Sequence, residues 1–92
     1  MKHFNCIDNP HLTSLKGAPR RCYSFYCYGC DLRSLEYAPY EVERTFNCTY
    51  NKNLPIEAIG QVVDMECNVF NCGPYKTEPE HSNIICNNFY WK

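Results

Sequence analysis

The chain has 92 residues, enough for one domain, and a domain of that length buries a smaller share of its surface than one twice as long, so a catalytic site in a deep cleft is not expected. Nine Lys and Arg residues against ten Asp and Glu residues leave a formal net charge of −1, which disfavours nucleic acid or an anionic membrane as a partner. No apolar run approaches membrane-spanning length and residues 1–6 do not resemble a signal peptide, so we expect the fold to start at the first residues.

The first predicted strand is at residues 4–6, which consist of an apolar residue, a residue of any type and a cysteine. This tripeptide pattern recurs four times, at cysteine spacings of 21, 21, 19 and 19 residues. The recurrences are Phe25-Tyr26-Cys27, Phe46-Asn47-Cys48, Met65-Glu66-Cys67 and Ile84-Ile85-Cys86. Alternation along a strand directs the first and third residues of each tripeptide to the same side. We therefore predict five stacked strands with these five cysteines in one inward column.

The segments between the strands repeat as well. Three residues after the repeated cysteine comes Asn9, Cys30 or Asn51, a turn position at which an asparagine side chain can hydrogen-bond backbone groups that have left the sheet. Leucines and prolines recur in the return segments, at Leu12, Leu15, Pro19, Leu32, Leu35, Pro39, Leu54 and Pro79. Because proline cannot occupy an ordinary helix interior, we predict extended or turn-like returns. The third return, residues 54–62, lacks the repeated proline and departs from the pattern.

Together these positions read approximately Leu-x-x-Leu-x-Gly-Ala-Pro-x-x-Φ-x-x-Φ-x-Cys-x-x-Asn-x-x-Leu, where Φ is apolar. With this pattern the chain resembles the leucine-rich-repeat family, and most closely the short proline-containing repeats of bacterial effectors and of small proteins from bacteriophages and large DNA viruses. The resemblance implies a β-rich solenoid with a short parallel sheet on one face. It implies a single domain, residues 1–92, of four coils with a closing C-terminal strand and a cap at Phe89-Tyr90-Trp91.

The resemblance also has functional implications. It implies a module that binds a protein partner, and more narrowly a phage-encoded inhibitor or adaptor that acts on a host defence protein in the host cytoplasm. No combination of residues indicates catalysis, because His3, His11 and His81 fall in different regions and no glycine-rich phosphate loop or Ser-His-Asp set is present. We therefore expect a protein that is not an enzyme. Two alternatives stay open: a self-assembling structural or virion-associated protein, and a zinc- or redox-responsive cysteine module.

The cysteines bear on the last alternative. Cys27 and Cys30 have the spacing of a zinc or redox pair, but a metal site needs a second converging pair such as Cys67 and Cys72. The repeat accounts for the first pair, because Cys27 takes an inward strand position and Cys30 the asparagine position. A disulfide framework is disfavoured, because no secretion signal is apparent and side chains on neighbouring parallel strands point the same way. We predict reduced thiols packed as small apolar groups, with no metal and no cofactor.

The outward side of the predicted sheet is the candidate surface for a partner. The partner-binding residues expected there are Asn5, Ile7, Tyr26, Tyr28, Asn47, Thr49, Asp64 and Glu66. Tyrosine offers a large contact area at low entropic cost, so we expect Tyr26 and Tyr28 to contribute most of the binding energy. The alternative is an ordinary solvated face with tyrosines that favour strands. A second, basic surface is predicted in the return or turn segments, from Arg20, Arg21, Arg33 and Arg44.

Overall fold

The computed structural model describes residues 2–92 and shows a β-rich solenoid of about four turns. The elements in this range are β1 His3–Asn5, β2 Arg21–Cys22, β3 Ser24–Tyr26, β4 Glu41–Asn47, α1 Glu57–Gly60, β5 Met65–Asn71 and β6 Ile84–Tyr90. The strands form one sheet in the order β1-β3-β4-β5-β6, with β2 beside β4, and all these pairings are parallel. The predicted β-rich solenoid with a parallel sheet is therefore confirmed. Within residues 2–92, no helix has the length and apolar character needed to cross a membrane.

Five phenylalanines form the centre of the core. They occupy matching register positions in β1, β3, β4, β5 and β6 and are Phe4, Phe25, Phe46, Phe70 and Phe89. Their stacked rings are 4.6, 5.1, 5.1 and 5.5 Å apart, centroid to centroid. These separations are close to the spacing of about 4.8 Å between neighbouring strands, so in-register parallel pairing is what produces the stack. We call these five residues the phenylalanine column; its three inner members are fully buried and its two ends are half-buried.

A column of thiols runs beside the phenylalanine column. Its members are Cys6, Cys27, Cys48 and Cys72, each two residues beyond the phenylalanine of its own strand. The first three thiols each donate a hydrogen bond to a backbone carbonyl oxygen of the next turn, with sulfur–oxygen distances of 3.4 Å. We call these four residues the thiol column. It fills the side of the core where the strands end and the chain enters the next turn.

The register of the fourth and fifth strands differs from the predicted one. Met65 and Ile84 were predicted to align with Phe46, but Phe46 pairs with Phe70, and Met65 pairs with Ile84 nearer the start of the strands. The cause is the third return, which contains α1 and places Phe70 24 positions after Phe46, against 21 in the preceding coils. Met65 is fully buried, so its side chain points inward as predicted. It lies outside the phenylalanine column, however, and packs nearer the start of the strands.

The same shift divides the predicted column of five cysteines. Cys67 and Cys86 pair with each other, and Cys67 also pairs with Val42, which pairs with Cys22. These four residues make a second inward column near the start of the strands. The prediction of one cysteine column is thus correct for the first three coils and wrong for the last two.

The first two returns each contain a tight turn, at residues 15–18 and 35–38. A backbone hydrogen bond between the terminal residues closes each turn, at 2.9 and 3.1 Å. The third residue of each turn has left-handed backbone geometry, with φ of 92° at Gly17 and 70° at Tyr37. The buried Pro39 follows the second turn, as the repeat pattern predicts for an extended return. In the third return α1 replaces this turn.

The asparagine position of the repeat ties neighbouring turns together. Asn51 is buried, and its side-chain nitrogen donates to the carbonyl oxygens of Cys27 and Cys48 at 2.9 and 3.0 Å. Its Oδ1 accepts the N–H of Leu32 at 3.1 Å. Asn9 donates in the same way to a carbonyl of its own turn at 2.7 Å. The predicted role of asparagine in satisfying backbone groups outside the sheet is therefore confirmed.

Candidate binding face

One row of amide and tyrosine side chains crosses the outward side of the sheet. The register pairs Asn5 with Tyr26 and Tyr26 with Asn47. Asn71 and Tyr90 continue the row across β5 and β6. Asn5 and Tyr90 are exposed and the other three are half-buried. Adjacent members are separated by one strand spacing, about 4.8 Å. We call these five residues the amide–tyrosine row.

A second row lies just beyond the ends of the first strands and consists of Ile7, Tyr28 and Thr49. The chain stays in register there, because the N–H of Asp8 donates to the carbonyl of Tyr28 at 3.0 Å and the N–H of Gly29 donates to the carbonyl of Thr49 at 3.1 Å. All three members of this row are half-buried. The structure therefore brings together six of the eight predicted partner residues, three in each row.

Two asparagines of the amide–tyrosine row are fixed by short-range hydrogen bonds. Oδ1 of Asn5 accepts the N–H of Ile7 at 2.9 Å. Oδ1 of Asn47 accepts the N–H of Thr49 at 3.0 Å and its hydroxyl at 2.7 Å. Among residues 2–92, the amide nitrogens of Asn5 and Asn47 have no hydrogen-bond partner, so they are available as donors to another molecule.

Asp64 and Glu66 do not belong to either row, although Glu66 lies on the outward side of β5 as predicted, exposed between the buried Met65 and Cys67. Glu66 pairs with Glu41 and Ile85 near the start of the strands. Asp64 lies before β5, with left-handed backbone geometry at φ 57°. Their distance from the two rows follows from the longer third return, which displaces the register of β5 relative to β4.

Sequence reasoning also missed Asn71 and Tyr90. A signal for the first was available, because the triplet Phe-Asn-Cys occurs at residues 4–6, 46–48 and 70–72 and all three occurrences lie in register. Phe89-Tyr90 likewise matches Phe25-Tyr26. Phe89 and Tyr90 thus end the last strand, with Phe89 closing the phenylalanine column and Tyr90 closing the amide–tyrosine row.

The outward side of the sheet is charged near the start of the strands, at the end away from the two rows. Arg21 and Glu41 form an ion pair at 3.2 Å, and Glu66 is next to Glu41 in register. The two glutamates line an open groove together with Asn68 and Asn87, whose side chains are joined by a 2.8 Å hydrogen bond. An exposed ion pair of this kind contributes about 0–1 kcal/mol to stability. The pairing of the strands in the sheet therefore does most to fix the position of these charged residues.

The arginines divide between the sheet and the other segments. Arg21 lies in β2, and Arg44 lies in β4 with its guanidinium carbon 5.7 Å from the ring centroid of Tyr23. The prediction that all four arginines lie in return or turn segments is wrong for these two. Arg33 forms an ion pair with Asp31 at 3.1 Å.

The eight cysteines carry free thiols. Burial raises the pKa of Cys67 and of Cys72 to about 12, and it raises the pKa of Cys48 well above its ordinary value. These thiols therefore stay protonated at neutral pH and pack as apolar groups. Within residues 2–92, no group of three or more His, Cys, Asp and Glu side chains is arranged to hold a metal ion.

Comparison of the chain with protein-family models, with curated proteins and with solved structures gave no match.

Proposed function

We propose that the protein is a non-enzymatic module that binds a protein partner across the outward side of its sheet. The observation that carries this proposal is the pair of adjoining rows, in which amide and tyrosine side chains repeat at strand spacing. Tyrosine combines an apolar ring with a polar hydroxyl and therefore suits a surface that is partly desolvated by another protein. The likeness of the repeats to leucine-rich repeats supports the same function.

The rigidity of the rows favours binding. Short-range hydrogen bonds hold Asn5 and Asn47, and the backbone bonds around Tyr28 keep the second row in register. Side chains and backbone that are already ordered lose less entropy when a partner binds. Tyr26 and Tyr28 occupy the middle of the three-coil region where both rows are present. They are the residues at which a partner would bury the most aromatic surface.

The nature of the partner rests on the repeat pattern alone. The resemblance to short repeats of effectors and phage proteins supports an inhibitor or adaptor that acts on a host defence protein in the host cytoplasm. It predicts that the protein captured from the native host is an enzyme whose activity falls when the complex forms.

The test is affinity capture from a lysate of the native host, followed by measurement of the dissociation constant for the retained protein. The double variant Tyr26→Ala/Tyr28→Ala is expected to weaken binding more than tenfold, because truncation of a central aromatic anchor commonly costs about 2 kcal/mol or more. Circular dichroism and the melting temperature report whether the variant stays folded.

The matched control is Tyr37→Ala/Tyr40→Ala, which removes two tyrosines that are 53% and 44% exposed and lie outside both rows. It should leave the dissociation constant within about twofold, as expected for residues outside the interface. Arg20→Ala/Arg21→Ala is a second control, for a charged contact. Binding that survives loss of Tyr26 and Tyr28 but is lost in either control would place the partner elsewhere and overturn the proposed site.

Self-assembly is a second candidate, favoured by one observation. Strand β6 lies at the edge of the sheet and carries two exposed apolar or aromatic residues, Ile85 and Tyr90, and the exposed Trp91 follows it directly. Long exposed edge strands pair readily with other chains. Sedimentation across a range of concentrations tests this function: a mass that rises with concentration supports it, and a constant monomer mass rejects it.

A further inference from the structure

One edge of the sheet is formed by β6. This strand pairs with β5 on one side, and no other strand of residues 2–92 pairs with it. The carbonyl oxygen of Tyr90 accepts the N–H of Cys72 at 2.7 Å, so the backbone groups of Tyr90 face β5. Because successive residues of a strand direct these groups to opposite sides, the N–H and C=O of Phe89 point to the free edge. β6 therefore offers unpaired backbone donors and acceptors to another strand.

The two edges of the sheet differ in length and charge. Residues 82–91, which include β6, are ten consecutive residues without Asp, Glu, Lys or Arg. The opposite edge strand, β1, has three residues, begins with His3 and directly follows Lys2. Short strands and charges protect a sheet edge from pairing, and a long uncharged edge lacks this protection. Two copies of β6 also meet without like-charge repulsion, so the strand suits a second copy of itself.

The faces of β6 follow from its alignment with β5. Its inward residues align with buried residues of β5 and are Ile84, Cys86 and Phe89. Ile85 and Tyr90 align with residues of the outward side. Two exposed residues, Asn87 and Asn88, separate the inward Cys86 from the inward Phe89. From Ile85 to Tyr90 the order is outward, inward, two exposed amides, inward and outward, which is the same read from either end.

We propose that β6 pairs antiparallel with β6 of a second copy of this chain, in a register that places Ile85 opposite Tyr90 of that copy. A two-fold axis through the middle of the paired strands makes the contact the same on both copies. This dimer rests on the self-assembly named above as the second candidate function, and it gives that function a defined surface and register.

The symmetric order of the faces fixes the register. Opposite residues of an antiparallel pair lie on the same face of the sheet. With Ile85 opposite Tyr90 of the second copy, Cys86 lies opposite Phe89. The two amides, Asn87 and Asn88, then lie opposite each other. A shift of one residue places Ile85 opposite the inward Phe89 in one direction and Tyr90 opposite the inward Cys86 in the other.

The pairing covers apolar surface that the edge exposes. Ile85 is 63% exposed and Tyr90 is 47% exposed, and two-fold symmetry forms their contact twice. Both β6 edges are then paired, and of the described strands only the short β1 remains as an edge on each copy, so assembly stops at the dimer. The amide–tyrosine rows of the two copies lie on the same side of one continuous sheet.

Sedimentation over a range of concentrations gives the first test. The mass of the parent protein should rise from monomer to dimer, with no larger species. Ile85→Lys places a charge in the uncharged edge and should raise the dissociation constant of the dimer at least about tenfold. Val63→Lys is the matched control, because Val63 is similarly exposed, at 66%, and lies outside the sheet. It should leave this constant within about twofold.

Circular dichroism reports whether both variants fold, and Asn88→Lys replaces Ile85→Lys if the latter does not. A constant monomer mass would overturn both the dimer and self-assembly. A mass that rises beyond the dimer, or equal effects of Ile85→Lys and Val63→Lys, would retain self-assembly and overturn the β6 dimer. Partner binding is judged by its own dissociation constant, so either function can fail without the other.

Paired cysteine variants test the register. Asn87→Cys and Asn88→Cys proteins are mixed with oxidised glutathione, and peptide mass spectrometry identifies the disulfides between chains. Opposite residues of an antiparallel pair have Cα atoms about 4.5–5.5 Å apart, within the range that a disulfide spans. The mixture should join position 87 to position 88 at least about threefold more often than either variant alone joins identical positions.

The parent protein under the same conditions is the control for its native thiols. A disulfide between identical positions reports a register shifted by one residue, so its predominance would overturn the proposed register. A dimer that forms no disulfide at either position would place the contact on another surface and overturn the pairing of β6.

Discussion

The imidazole ring of His81 lies 3.8 Å from the ring of Phe89, centroid to centroid, and so extends the phenylalanine column beyond its last strand. The two rings are nearly parallel, with an interplanar angle of 15°. Nε2 of His81 is 3.0 Å from a carboxylate oxygen of Glu78, which helps to hold the ring in place. The terminal coil of a solenoid needs a residue with one apolar and one polar side over its core, and histidine supplies both.

This contact predicts that His81→Ala lowers the free energy of unfolding by about 0.5–1.5 kcal/mol, the contribution typical of one stacked aromatic pair. His81→Phe keeps the ring and should stay within about 0.5 kcal/mol of the parent protein. Urea unfolding followed by circular dichroism measures both values. If the two variants are equally unstable, the stack does not cap the column.

The hydrogen bonds of Asn47 alter the stability effect expected for its substitution. From its outward position alone, Asn47→Ala should not change the free energy of unfolding. However, this residue accepts hydrogen bonds from both the N–H and the hydroxyl of Thr49. We expect the substitution to lower the free energy of unfolding by about 1 kcal/mol. Asn87→Ala is the control, because the exposed Asn87 bonds to another exposed amide, that of Asn68, and its loss should cost less than about 0.5 kcal/mol. A silent Asn47→Ala in urea unfolding would show that these bonds add no stability.

The tight turns of the first two returns allow the cost of left-handed backbone geometry to be measured with and without a side chain. Tyr37 is in the left-handed region, where a side chain costs about 1 kcal/mol or more, so Tyr37→Gly should raise the melting temperature or leave it unchanged despite the added flexibility of the unfolded chain. Gly17→Ala should lower the free energy of unfolding by about 1 kcal/mol through the backbone alone, since no heavy atom lies within 4 Å of the added carbon. A stabilising Gly17→Ala would contradict the left-handed geometry.

The buried thiols predict a loss of stability at alkaline pH. In the unfolded chain a thiol ionises near its ordinary pKa of 9.0, whereas in the folded protein burial raises the pKa of Cys67 and Cys72 to about 12. A raised folded pKa gives stability that is complete below the unfolded pKa and is lost as the pH rises from about 9 toward 12. The melting temperature in a reducing buffer should therefore fall between neutral pH and about pH 10.5.

Cys67→Val tests the cause of that loss. Valine already occupies the same inward column at Val42, so the substitution suits the site. The variant should lose less stability than the parent protein over the same rise in pH. An identical pH dependence in the two proteins would show that ionisation of Cys67 makes no contribution.

The first three coils were predictable because their spacing is constant. Phe4, Phe25 and Phe46 are each 21 residues apart, and constant spacing fixes both the strands and their register. The register of the fourth coil could not be predicted, because either Met65 or Phe70 could point inward and align with Phe46. Only the pairing of β4 with β5 decides between them, and that pairing depends on how much chain the third return absorbs.

The candidate face was predictable to the same extent. Six of its residues follow from alternation in coils of equal length, whereas Asp64 and Glu66 inherited the error in register. The short-range hydrogen bonds of Asn5 and Asn47 could not be inferred from alternation, because they depend on the turn that follows each strand. The hydrogen bond from the Cys30 thiol to the carbonyl oxygen of Cys6 likewise joins neighbouring coils and depends on the direction of the side chain in the turn.

The third return indicates that this fold tolerates changes in the length of a coil. Successive phenylalanines of the column are 21, 21, 24 and 19 residues apart, yet the rings stay stacked at 4.6 to 5.5 Å. Differences in coil length are thus absorbed mainly on the return side, where α1 replaces a tight turn, and the sheet itself takes up a register shift of one residue between Val42 and Thr45. The exposed positions after α1, such as Gln61 and Val63, are therefore suitable points for grafting a peptide tag or a foreign epitope. Such a graft would leave the spacing of the amide–tyrosine row intact.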